Sequence, residues 1–528
     1  MLKNSLIAGA CALLALPACA GNFANADDRA TEAMFAARDK DWRNGAIVYQ
    51  VLVDRFAPSD KLEQKRHLYP APKVLRRWDE LPARGTLLPD VKVWSHEIDF
   101  WGGDLQSLTG KLHYIHQLGA DVLYLNPVHL AYTNHKYDAL DYKQVSPEFG
   151  TRADVKDLAK QVHGMGMKLV LDGVFNHMGR NAPVFREAEA NPRSPYRSWF
   201  HFGAQYPGGA RIWRDARNLP ELNLQNPAVR AMLYGAPDSV VQGYLSDGID
   251  GWRLDVAYDI GFTYLDQLTR AAHKRKPGSL VVGEIANYPK QWFPAVDGVM
   301  HFTVRQIMLK TVAGELPPHT AAQMLDRIVQ DAGIEPMLKS WTFLDNHDTY
   351  RMRTVLPKMP QQRLAQVLQF TFPGSPNLYY GTELGMTGGD DPEMRAPMRW
   401  DLVREDNPHL AFTRQLIALR KSQRALRVGN FRLVSTTKLL GYERYTDRAG
   451  ETVIVLANPG ETEVRETVLV ANSKIMNDTV MRNLLDPKAP SVPIVSSLLN
   501  VTVPAGSVLV LQPVVEPVEG YTPYKHIQ

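Results

Sequence analysis

The stretch GIDGWRLDVA, residues 248–257, decides how this chain is read. An apolar core bounded by glycine reads as a buried strand, on which alternate side chains share a face, so Arg253 and Asp255 point the same way. A guanidinium beside a carboxylate favours the ionised form. An ionised Asp at the end of an apolar strand is costly to bury without a purpose, and nucleophilic attack is one such purpose. A structural ion pair accounts for those two residues equally well. The next strand-like run, SLVVGEIA at 279–286, ends the same way with Glu284. Two carboxyl groups at the ends of neighbouring strands suit glycoside hydrolysis, where one attacks the anomeric carbon and the other protonates the leaving oxygen. Asp255 is the expected nucleophile. Glu284, with no cation beside it in sequence, is the expected acid, in a drier site that raises its pKa.

Outward from this pair, strand-like and helix-like runs alternate. AIVYQVLVDRF (46–56) reads as a strand, LQSLTGKLHYIHQLG (105–119) as a helix, DVLYLNPV (121–128) as a strand, RADVKDLAKQVHGMG (152–166) as a helix and KLVLDGVFN (168–176) as a third strand. With GWRLDVA, LVVGEIA, GVMHFTV (298–304), WTFLDNH (341–347) and PNLYYGTE (376–383) there are eight apolar strands. The expected fold is therefore α/β, a (β/α)8 TIM barrel over residues 44–428 whose site gathers at the carboxyl ends of the strands. Asp172, Asn176, His177, Arg253, Asp255, Glu284, His347 and Asp348 all fall at such ends. The connection at about 178–228 is too long for one helix and predicts a small inserted domain after strand 3. Asn407 and Pro408 open a helix by cap and first-turn chemistry, expected to run to Gly429. Short alternating segments over 429–515 predict a C-terminal antiparallel β-sandwich, and 516–528 an aperiodic tail. No solenoid-type repeat is present.

At 528 residues the chain is too long for one core, so two or three domains are expected. A net charge of +4 gives no support to nucleic-acid binding. Residues 1–18 join an early Lys3 to a short apolar run, the pattern of an export signal. Cys11 and Cys19 are the only cysteines. Cys19, in LPAC, stands where a bacterial lipoprotein signal is cut and lipidated, which predicts a periplasmic or cell-surface lipoprotein. Ala20 after it is compatible with outer-membrane anchoring. A plain export signal cut nearby is the alternative. With Cys11 removed no internal disulfide can form. Residues 19–43 read as a tether or a short helix.

On these residues the chain resembles the α-amylase superfamily of retaining glycosidases from about residue 45 to 515. The motifs in order are LDGVFNH (171–177), GWRLDVA (251–257), VGEIA (282–286) and FLDNHD (343–348). The resemblance implies Asp255 as nucleophile, Glu284 as general acid and base, and Asp348 as the third carboxylate, which grips and distorts the sugar. It implies that Arg253 orients Asp255, that Asp172 braces Arg253, that His177 and His347 hydrogen-bond the same sugar, and that Tyr137 stacks under it. FWGGDLQSL (100–108), TNHKYDALDY (133–142), NLPELNLQNP (218–227) and YYGTELGMTGGDDPEMRAPMRWD (379–401) look like the neopullulanase, cyclomaltodextrinase and maltogenic amylase group. Cyclodextrins, maltodextrins or pullulan are the implied substrates, with no organic cofactor.

Several departures accompany the resemblance. Tyr258 and Asp259 stand where endo-acting relatives carry Lys and His, Val256 where strict α-1,4 enzymes often have Ala, and Ala286 where a Trp often follows the acid. Some tolerance of α-1,6 bonds is therefore expected. The group's usual extra β-domain before the barrel is not expected here, where the reading leaves only a short tether. Many relatives bind calcium through a loop after the first strand, but APSD at 57–60 is short for it, so no cofactor is expected to be required and Asn176 and Asp104 are only the candidate ligands were calcium to bind. Two rivals remain open in the sequence: a transglycosylase, in which a second sugar intercepts the same intermediate, and a non-catalytic saccharide-binding lipoprotein.

Overall fold

The computed structural model of the protein describes residues 26–515. The signal, Cys19 and the tail at 516–528 lie outside the described residues. Eight parallel strands close into a barrel: β1 Val48–Val51, β2 Val122–Leu125, β3 Lys168–Gly173, β4 Gly251–Leu254, β5 Leu280–Ile285, β6 Gly298–His301, β7 Trp341–Thr342 and β8 Ser375–Tyr379. Each pairs with its sequence neighbours, and β1 closes on β8.

The apolar strands are buried on both faces, which is why they read as continuous runs rather than alternations. Val48, Val122, Tyr124, Val170, Val282 and Met300 fill the barrel interior. The residues between them, among them Tyr49, Leu123, Leu169, Trp252 and Val281, pack outward under the helices. By the same alternation Asp172 and Arg253 face inward.

Some runs break earlier than their periodicity suggests. The strand expected over 46–56 stops at Val51, and Val53–Phe56 turns into a short helix whose Asp54 and Arg55 form a buried pair at 2.7 Å. The helix expected over 105–119 is two, Leu105–Thr109 and Leu112–Leu118, parted at Gly110 and Lys111. Asn407 caps as expected, accepting from the His409 and Leu410 amides, but the helix ends at Ser422 and a second one spans Arg424–Val428, because Gln423 is extended.

Two excursions stand on the rim at the carboxyl ends of the strands. One, between β3 and β4, holds the helix Pro183–Ala190 and a ladder of isolated bridges, 200 to 222, 202 to 210 and 212 to 220. The other, over 57–103 after β1, was not foreseen; it carries short helices and two small two-stranded sheets. Of the stretch read as tether or short helix, Ala26–Lys40 is helical and docks by Arg38 on Glu335 at 2.6 Å.

The C-terminal unit has eight antiparallel strands, β9 Asn430–Leu433, β10 Leu440–Tyr445, β11 Val453–Asn458, β12 Val464–Leu469, β13 Val480–Asn483, β14 Val492–Val495, β15 Leu498–Val503 and β16 Ser507–Pro513. Their order is β9-β10-β11-β16-β13-β14-β15-β12. Ile454 and Leu456 from one half and Val468, Leu499 and Val501 from the other share one core, so the sheet is folded over on itself.

Candidate active site

Register places Arg253 on β4 directly beside Asp172 on β3. Its Nη1 donates to both Asp172 oxygens at 3.0 and 2.9 Å and to Asp255 Oδ1 at 3.2 Å. Its Nη2 donates to Glu284 Oε2 at 2.7 Å. One rigid guanidinium fork thus binds three carboxylates from three adjacent strands. The structure corrects the expectation that Glu284 sits apart from any cation: β5 is the neighbour of β4, so the arginine of one reaches the acid of the other.

The same Glu284 oxygen accepts from the Val256 amide at 3.0 Å. Val256 has φ 37° and ψ 46°, a left-handed conformation that costs a β-branched residue of order 1–3 kcal/mol. That turn is what aims the amide immediately after Asp255 at Glu284. Glu284 Oε1 is left for substrate.

Asp255 departs from expectation too. Burial, and then the Glu284 charge, push its pKa well above the usual carboxylate range, with Arg253 acting against them. A cation divided among three carboxylates does not compensate each of them fully. The shift favours the protonated form of Asp255.

His177 lies 3.9 Å from Asp255 Oδ2. Burial takes its pKa down to about 3, so the ring is neutral, and neither ring nitrogen has a partner. Asn176 Nδ2 and Asn346 Nδ2 are likewise buried and unpaired. Buried polar groups normally have partners, and these atoms have none among the described protein groups. His347 is already engaged. Gln50 Nε2 donates to its Nδ1 at 2.9 Å, which puts the proton on Nε2, facing the Tyr137 hydroxyl at 2.5 Å and Asp348 Oδ2 at 3.0 Å. Burial holds this ring well below its usual pKa. Tyr137 stacks parallel on His347 at 5.3 Å and donates to Asp172 Oδ2 at 2.9 Å.

Asp348 is exposed and fixed from the side by Arg395, whose Nη2 reaches its Oδ1 at 3.2 Å. Arg395 also donates to the His347 carbonyl at 2.9 Å and pairs with Asp391 at 3.2 Å. Sequence reasoning missed Arg395 and had no periodic signal by which to find it. The structure thus gathers Asp172, Arg253, Asp255, Glu284, His177, His347, Tyr137 and Asp348 at one end of the barrel.

Asp104 is not free to bind calcium. It caps the helix Leu105–Thr109 through Ser107, and its Oδ2 accepts from Ser59 Oγ at 2.5 Å and Lys65 Nζ at 2.6 Å. An ammonium already neutralises that carboxylate, so the donor set does not fit a divalent cation there. Among the described residues no cluster of three His, Cys, Asp or Glu could hold a metal.

The excursion between β3 and β4 reaches back over the mouth. Trp213 lies over His177, ring centroids 5.7 Å apart, and donates to Asp259 Oδ2 at 3.0 Å. Arg214 donates to the Tyr258 hydroxyl at 3.0 Å. Two hydrogen bonds therefore latch the excursion to the segment that follows Asp255.

Residues 50–404 match the family described as alpha amylase, catalytic domain. A cyclomaltodextrinase of Geobacillus thermopakistaniensis is 32% identical over 432 residues, 79% of this chain and 69% of that protein. Neopullulanase 2 of Thermoactinomyces vulgaris is 30% identical over 447 residues, 81% and 72% of the two chains. The ligand-free cyclic alpha-maltosyl-(1→6)-maltose hydrolase of Arthrobacter globiformis superposes with a TM-score of 0.74 at 27% identity, covering 89% of this chain and 100% of that one.

Proposed function

The chain belongs to the alpha-amylase family of glycosidases, and from that premise we propose that it hydrolyses α-1,4-glucosidic bonds, with some α-1,6, in cyclodextrins, maltodextrins or pullulan, with retention of configuration. The observation that carries this is the single guanidinium of Arg253 gripping Asp172, Asp255 and Glu284 together. Asp255 keeps Oδ1 on Arg253, and its Oδ2, on the His177 side, is the oxygen left to attack the anomeric carbon. Glu284, through Oε1, gives a proton to the glycosidic oxygen as the bond to the anomeric carbon breaks. The glycosyl ester on Asp255 is then cleaved by water that Glu284 deprotonates, which restores both groups. The reaction starts from Asp255 ionised and Glu284 carrying the proton. Asp348, set by Arg395, and the unpaired His177 ring are the proposed grips on the sugar hydroxyls. No metal or organic cofactor enters these steps.

Side-by-side product profiles on β-cyclodextrin, pullulan and soluble starch test this, with NMR of the first sugar released. Cleavage of at least one substrate to an α-anomer is expected. A β-anomer, or no cleavage of any of the three, overturns it.

We also propose that the protein is exported and anchored by lipid on Cys19. LPAC at 16–19 supports this, with the apolar run before it. Replacing Cys19 by Ala should move the protein from the membrane fraction to the soluble one.

A further inference from the structure

A cavity of about 780 Å³ lies outside the catalytic cluster, lined by Trp78, Gln106, Lys111, Trp400 and Asp401, with Asp60 and Lys61 at its edge. None of the residues gathered around Arg253 lines it. It is built by the unforeseen excursion after β1, the start of the helix Leu105–Thr109 and the loop that follows β8. Those are carboxyl-end connections of the barrel, so the cavity opens on the same face as the carboxylates. β1 is the strand opposite β5 in the closed order, so the cavity and Glu284 lie on opposite sides of the rim.

Two indoles define its chemistry. Trp78 donates its N–H to the Met398 carbonyl at 3.1 Å, and Trp400 donates to the Phe56 carbonyl at 2.6 Å. Tied at their polar ends to main chain, both rings are fixed in orientation before any ligand arrives, which cuts the ordering cost of binding. Lys111 Nζ covers one face of Trp400 at 4.5 Å. No ring or cation stacks on Trp78 among the described residues, and it is only half-buried. Asp60, Asp79 and Asp401 balance Lys61, Lys111 and Arg399, while Asp104 is held by Lys65. A wall without excess charge of either sign favours a neutral ligand. A fixed apolar ring face amid carboxylates, ammonium groups and an amide suits a molecule with one C–H face and a rim of hydroxyls.

We infer that this cavity is a second saccharide site, which holds a pyranose unit of an α-glucan against Trp78. The inference rests on the α-glucan activity proposed above and extends it to a residue set remote from the chemistry. A chain held there is tethered on the catalytic face, which raises its effective concentration only if it is long enough to cross the rim. Polymer is favoured and short oligosaccharide is not.

Trp78→Ala removes the platform, and Gln106→Trp, at an exposed lining position, fills the cavity without touching a core contact. Each is made in the full chain and again beside Asp255→Asn, which stops cleavage during binding measurements. Electrophoresis through gels containing soluble starch should show retention of Asp255→Asn reduced by about tenfold in both combinations. In the active background, kcat/KM should fall several-fold more on starch than on maltotriose. Unchanged retention in both variants, or equal losses on the two substrates, overturns the second site. Failure of the parent protein to cleave any α-glucan would instead defeat the activity on which it rests.

Discussion

Asp255 combines two demands that oppose each other. The proposed attack requires it charged, yet burial and the neighbouring Glu284 favour its neutral form. An acid whose folded pKa lies above its unfolded one holds a proton in the native state that the unfolded chain has lost. Stability therefore falls as pH rises from the ordinary Asp value of 3.8 through the raised one. Asp255→Asn keeps an oxygen for Arg253 and carries no charge. It should lose on the order of 10⁴-fold or more in kcat on any α-glucan the parent cleaves. At pH 7 it should melt several degrees higher than the parent, a gain that shrinks as pH drops toward 4. Thermal melts of both proteins across that range check the sign, and a variant that melts lower at neutral pH would contradict the assigned shift. His177 and His347, neutral in the folded protein but protonated in the unfolded chain below the ordinary value of 6.5, destabilise parent and variant alike as pH drops, so they cancel in the difference between the two melts.

The body of the excursion between β3 and β4 packs into the main core through Phe185, Phe200 and Leu222, while its tip is tied over the barrel mouth by exposed groups. The Trp213–Asp259 and Arg214–Tyr258 hydrogen bonds contribute about 1 kcal/mol each. Removing both, as Arg214→Ala with Asp259→Ala, should shift the balance toward an open mouth by more than about tenfold. Tyr258 lies near enough to feel the charge of Glu284, the proposed acid, so the latch stands on the Glu284 side of the mouth. The double variant is expected to gain several-fold in kcat/KM on soluble starch relative to maltotriose. An unchanged ratio would mean that the roof does not limit polymer entry. Legibility in the sequence divides along the same line. The strands were readable as apolar runs, and alternation set Arg253 and Asp255 on one face, while the Asp172–Arg253 pair was expected only from the family resemblance. The latch was not readable, since 213 and 259 are joined by loop geometry that leaves no period. Lys65 on Asp104 and Arg395 on Asp348 escaped for the same reason, whereas the reach of Arg253 to Glu284 is a contact between neighbouring strands that reading each strand alone does not show. Where an apolar run carried on past the end of its element, as after Val51, composition could not mark the stop.

At the scale of the whole molecule the C-terminal sheet is not an appendage. Phe431, Tyr442, Val453 and Val455 belong to the same apolar cluster as the outer layer of the barrel. Phe372, just before β8, meets Phe431 and Tyr442 at 5.5 and 6.1 Å. Arg444, fully buried on β10, donates to the carbonyls of Thr371, Leu426 and Gly429 at 2.9, 3.1 and 2.9 Å. Arg420, buried in the helix Pro408–Ser422, donates to the Phe370 carbonyl at 2.5 Å and to that of Gly374, which closes the turn into β8. The N-terminal helix straddles both units, with Arg38 on Glu335 of one and on Asn430 of the other at 2.9 Å. Units that share one apolar core and fill each other's backbone hydrogen bonds cannot unfold separately without exposing that core and orphaning those carbonyls. Calorimetry should therefore record one cooperative transition. A chain ended after Val428 keeps every carboxylate around Arg253 and still should not fold, because Phe372, Leu426 and the carbonyls met by Arg444 would be left bare. Its soluble yield and its activity on maltotriose decide the matter. A truncated protein that stays soluble and retains the parent kcat/KM would show that the barrel stands alone and that the sheet serves something other than stability.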